Sequence, residues 1–102
     1  MEIPNRFTIN SQEITIELVE SLPDQDFGRY NCITDTIQIA THVKDDDGTL
    51  IPLKEEQVWN TLWHEVLHAF QWHSKGEYSE EESNTYAGYL VEFFKSSGLN
   101  FK

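Results

Sequence analysis

The stretch Thr61-Leu62-Trp63-His64-Glu65-Val66-Leu67-His68-Ala69-Phe70 constrains this chain more than any other. Val58, Trp59, Leu62, Trp63, Val66, Leu67 and Phe70 recur at three- and four-residue intervals, which predicts a helix from about Lys54 to about Trp72. The apolar arc is too wide for an exposed helix, so this one must be central and packed on more than one side. Inside it, His64 and His68 lie one turn apart and about 40° apart around the axis, so their imidazoles point the same way. Neutral imidazoles near an interior need partners, and one metal ion would satisfy both. Glu65 falls beside such an ion rather than on it, where it can take a proton from a bound water. With 4 histidines in 102 residues, the spacing seldom arises by chance. The plain rival reading is a pair of ordinary core histidines.

The rest of the chain supplies a small scaffold. Phe7-Thr8-Ile9 is apolar-polar-apolar and Asn10-Ser11 reads as a turn. Ile14-Thr15-Ile16-Glu17-Leu18 alternates with period two and reads as a half-buried strand, broken at Ser21-Leu22-Pro23-Asp24. Phe27-Gly28-Arg29-Tyr30 is a short strand candidate. Ile33 to Ala40 contains a second, with Ile37 and Ile39 on one face and a turn at Asp35 placing Tyr30 on the opposing arm. Lys44-Asp45-Asp46-Asp47-Gly48-Thr49 lacks the alternation and central glycine of a calcium loop and reads as a solvated acidic turn. After the central helix, a turn at Lys75-Gly76 leads to a second helix from Ser79 to about Ser96, stopped by Gly98. Strands followed by helix, turn and helix give a single α+β domain over residues 1–102: a small, mostly antiparallel sheet of about three strands on two helices.

A catalytic zinc site needs three protein ligands, one more than the two histidines. His73 lies about 140° round a continuing helix from His68, and His42 precedes the helix by a long loop. The second helix offers Glu80, Glu81, Glu82 and Glu92. A hairpin of helices returns its first turn to the level of His68. Glu82 shares a face with Tyr86 and Tyr89 and is expected to point inward, with Glu80 and Glu81 towards solvent. Ser79-x-x-Glu82 equally fits a capping box, which would occupy Glu82 with the backbone of Ser79. Spacing leaves both readings open. Trp59, Trp63 and Trp72 read as core. Tyr30 and Tyr86 are candidates to stabilise an oxyanion, without a spacing argument for either.

His64-Glu65-Val66-Leu67-His68-Ala69 followed by Glu82-Ser83-Asn84-Thr85-Tyr86-Ala87 resembles the small gluzincin-type metallopeptidases of phages and prophages, related to the ImmA/IrrE family. Glu82 matches that family's ligand glutamate, Asn84 its asparagine and Tyr86-Ala87 its aromatic-Ala pair. Ser83 stands where alanine is usual. The segments around Leu22-Pro23-Asp24, Phe27 to Tyr30 and Ile37 to Ala40 also resemble the family's strand region. The resemblance implies a zincin-like fold, Zn²⁺ held by His64, His68 and Glu82, Glu65 as general base, and hydrolysis of a peptide or protein substrate. It also implies that the strand near Thr36–Ala40 is an edge to which an extended peptide can add. The alternative is a non-catalytic zinc-binding interaction module on the same fold.

Composition narrows the partners. A net charge of −11 argues against nucleic acid, whose phosphates call for clustered Lys and Arg. The single Cys32 excludes an internal disulfide and fits a reducing compartment. No signal peptide or membrane span is visible, so a soluble cytoplasmic protein is expected, in the host cytoplasm if phage-encoded.

Overall fold

The computed structural model describes residues 3–98. Its elements, in order, are β1 (Arg6–Ile9), β2 (Gln12–Val19), β3 (Gly28–Asn31), β4 (Thr36–Ala40), β5 (His42–Lys44), β6 (Leu50–Pro52), α1 (Glu55–Lys75) and α2 (Glu80–Ser96). The fold is α+β, with two helices and a mixed sheet. None of the described helices is long and apolar enough to cross a membrane.

The main sheet has four strands in the order β1-β2-β4-β3. Asn10 and Ser11 both take positive φ, 50° and 67°, as a two-residue hairpin turn requires, and pair β1 with β2 antiparallel. Asp35, at φ 50°, closes the second hairpin and sets Tyr30 opposite Ile37. These two hairpins join through β2 and β4, which run parallel with Ile16 opposite Ile37 and Leu18 opposite Ile39. The expected three-stranded, mostly antiparallel sheet is therefore corrected to four strands with a parallel pair at its centre. The strand at Thr36–Ala40 is not an edge. It is interior because both its apolar residues and its backbone are claimed, by β2 on one side and β3 on the other. The edges of this sheet are β1 and β3. Around the acidic turn, β5 and β6 form a two-stranded ladder that periodicity did not suggest, and Asp45 Oδ1 accepts the N–H groups of Asp47 and Thr49 inside it.

One face of the sheet is buried. Ile14, Ile16, Ile37 and Ile39 meet Val58, Trp59, Leu62 and Val66 of α1 in a continuous core. The other face carries Glu17 and Gln38, which bond each other at 3.2 Å. α2 packs on α1 through a face of small residues, Ser83, Ala87 and Val91. The second side of α1 is thereby covered, as its wide apolar arc demands. Trp63 stacks on Phe94 across the two helices, with ring centroids 5.5 Å apart.

The approach of α1 to β3 depends on Gly28. A methyl group at its Cα would stand 2.5 Å from Thr61 Cγ2, 3.2 Å from the Gln38 carbonyl oxygen and 3.3 Å from Glu65 Cγ. Glycine is needed here for closeness rather than for backbone freedom. Gly28→Ala is predicted to lower the unfolding free energy by about 1–3 kcal/mol through overpacking, read as a lower urea midpoint at unchanged slope. An unchanged or higher midpoint would mean that α1 stands off β3 without cost.

Candidate metal centre

Helix ends place the ionisable groups. α1 stops at Gly76, whose left-handed φ of 75° lets its N–H bond Trp72 O. Ser79 then caps α2, its Oγ accepting the N–H of Glu82 at 3.2 Å. Only residues 76–79 separate the helices, so the first turn of α2 returns to the level of His68.

There His64, Glu65 and His68 form a group whose ligand atoms all lie within 4.8 Å of one another, an arrangement that can hold a metal ion. The two imidazoles meet edge to face, with centroids 4.4 Å apart. The carboxylate that reaches both is Glu80, with Oε2 3.1 Å from His64 Nε2 and Oε1 2.8 Å from His68 Nε2. His68 is only 3% exposed, and despite that 2.8 Å separation its Nε2 has no hydrogen-bond partner. The oxygen stands off the direction in which a ring N–H would donate. The Glu80 carboxylate acts on His68 across this contact, favouring its charged form against the effect of burial. Because Glu80 itself is largely exposed, the group opens to solvent on one side.

Glu82 does not join this group. Its carboxylate accepts Gln71 Nε2 at 3.1 Å and is exposed, as are Tyr86 and Tyr89 along the same stripe. The expectation that this stripe faces inward is corrected. α2 lies against α1 by its small residues, and the bulky aromatics stay outside. Glu80 stands three residues before Ser83 and seven before Ala87, in line with the buried stripe, so its side chain reaches the histidines while staying largely exposed, as expected of it. That spacing was the available signal for Glu80. The capping-box reading of Glu82 holds for its backbone N–H alone, since the Ser79 N–H donates to Gln71 Oε1 at 2.9 Å.

The other candidates are engaged elsewhere. His73 Nε2 lies 2.9 Å from Asp35 Oδ1, and His42 Nδ1 lies 2.7 Å from Thr41 Oγ1. Tyr30 borders the site but donates its hydroxyl to Asp35 at 2.7 Å, and burial followed by that contact raises its pKa. Burial works against an ionised Asp35, but the hydrogen bonds from Tyr30 and His73 outweigh it and hold the carboxyl below its ordinary range. Tyr78, not singled out in sequence, lies with its ring centroid 4.4 Å from that of His68.

A cleft of about 440 Å³ takes in the cluster, Glu65 included, and is also lined by Asp26, Arg29, Tyr30 and Tyr78. Burial, then the neighbouring Glu80 and Asp26 carboxylates, push Glu65 up from 4.5 to about 8. Burial also lowers the pKa of His68, partly opposed by Glu80. Both shifts favour neutral side chains at this spot.

The raised Glu65 has a measurable consequence. A group whose folded pKa exceeds its unfolded value contributes stability below the unfolded value, here near 4.5, and loses it as pH rises through about 8. In chelator, Glu65→Gln is therefore predicted to gain on the wild type between pH 5 and pH 8.5, by a few kcal/mol in order of magnitude. Denaturant melts at several pH values check this. A gap that stays constant with pH would show that Glu65 ionises normally.

No protein-family model, curated protein or solved structure gives a significant match to this chain.

Proposed function

We propose that the chain is a zinc-dependent metallopeptidase domain of zincin-like fold, with His64, His68 and Glu80 as metal ligands and Glu65 as general base. The observation that carries this reading is that one carboxylate, Glu80, reaches both His64 Nε2 at 3.1 Å and His68 Nε2 at 2.8 Å, beside a group in which His64, Glu65 and His68 could hold a metal ion. Two imidazoles and one carboxylate are the donor types of a hydrolytic zinc site, so His64, His68 and Glu80 would hold the ion. Zinc bound there supplies Lewis acidity that brings the pKa of water towards neutrality.

The chain's own residues do the rest. Glu65 accepts the proton of the attacking water and returns it to the leaving amine. Its burial excludes bulk water from that exchange, and a cation next to it offsets the like charges of Glu80 and Asp26. A substrate peptide extends along β3, the edge strand that borders the cleft, in place of the interior β4. The net charge of −11 speaks against nucleic acid as the substrate.

Protein purified without an affinity tag is predicted to carry about one zinc per chain by elemental analysis. Less than about a tenth of an equivalent would remove the metal reading. Glu80→Gln is predicted to weaken zinc binding by more than about 100-fold, and Glu82→Gln by no more than about 10-fold. The reverse order would return the ligand role to Glu82. Glu65→Gln should keep zinc while losing at least about 100-fold in cleavage of a randomised fluorogenic peptide mixture. Zinc bound with no cleavage by the wild type would make the domain a non-catalytic zinc-binding module.

A further inference from the structure

Ser83 meets the far side of His68 and links it to Gln71, which also bonds Ser79 and Glu82. The fixed point is the Ser79 backbone N–H, which can donate but never accept. It lies 2.9 Å from one end of the Gln71 amide, so that end is the oxygen. The amide nitrogen then faces Glu82 Oε2, a carboxylate that accepts it at 3.1 Å. With its orientation settled, Gln71 Oε1 also receives the hydroxyl proton of Ser83, at 3.4 Å. Ser83 has one proton to give, so when it goes to Gln71 the Oγ meets His68 Nδ1, 3.0 Å away, as an acceptor. In that arrangement His68 carries its hydrogen on Nδ1. Nε2, which meets no well-aligned partner, is then left with a lone pair.

We propose that Glu82, Gln71 and Ser83 form a polarised relay that locks His68 into its Nδ1–H tautomer, so that Nε2 is presented bare to a metal ion. The relay makes Glu82 a positioning residue acting through Gln71 and Ser83, not a ligand. Ser83 has no exposed surface and Gln71 is half-buried, so water does not compete for the inner links. Outer partners of this kind fix the tautomer and ring orientation of metal-binding histidines generally. The inference rests on the metal reading only for the use made of Nε2. The tautomer itself is a property of the chain.

The test is a long-range ¹H–¹⁵N correlation spectrum of the full chain in chelator above pH 7, alongside zinc titration of the same samples. Wild-type His68 should give the pattern of a neutral ring protonated at Nδ1. Ser83→Ala and Gln71→Leu should shift His68 towards Nε2–H or a mixture and weaken zinc binding about 10- to 100-fold. Ser83→Thr, if it folds, should restore both readouts. A wild-type His68 protonated at Nε2 overturns the relay whether or not zinc binds, and needs no variant to be read. Ser83→Ala with an unchanged tautomer overturns it as well. An Nδ1–H tautomer in a protein that takes up no zinc supports the relay and removes the metallopeptidase reading, so the two failures stay distinct.

Discussion

Placing ionisable side chains in a helix covered on two sides is the constraint to which everything near the site answers. α1 buries Val58, Trp59, Leu62 and Val66 against the sheet and is covered on another side by α2. Glu65 and His68 lie within the same buried surface. Each would cost several kcal/mol if left charged and unpartnered there. The chain resolves this by neutralising the groups and supplying partners at the rim. Ser83 answers one nitrogen of His68, Glu80 approaches the other, and Glu65 keeps its proton well above the usual carboxylate range. The burden is concentrated in one turn of one helix.

The outer scaffold serves the same turn. Asp35 joins the β3–β4 hairpin to the end of α1 through its contacts with Tyr30 and His73. Gly28 lets β3 come up against Thr61 and Glu65. The edge strand, the general-base candidate and the histidines thus share a frame tied at both ends of β3. Tyr78 completes it from the interhelix turn, with its ring against that of His68.

Much of this was legible in the sequence, and the rest failed for identifiable reasons. Apolar spacing located α1 and α2 closely, and the Asn10-Ser11 and Asp35 turns were visible because their residue types tolerate positive φ. Strand order was not legible, since period-two alternation reports which face is buried and says nothing of which neighbour pairs. The parallel β2–β4 contact is a tertiary choice of that kind. Glu82 reads as the inward carboxylate only if bulk marks the buried face. Close helix packing instead selects small residues, and the stripe of Ser83, Ala87 and Val91 points back to Glu80. Ser83, on that small-residue stripe, is the residue that contacts His68 Nδ1.

The turn between the helices carries a consequence of its own. α1 ends at Lys75 and α2 begins at Glu80, so the phase of the second helix relative to the first is set by residues 76–79. One residue more or less in that turn would rotate every side chain of α2 by about 100° and shift it about 1.5 Å along the axis. Glu80 would leave the histidines and Ser83 would leave His68 together, although no residue of the cluster had changed. The site is therefore encoded as much by the length of a connection as by the identity of its residues. A chain could keep His64, Glu65, His68 and Glu80 intact and still lose the centre to a single insertion there.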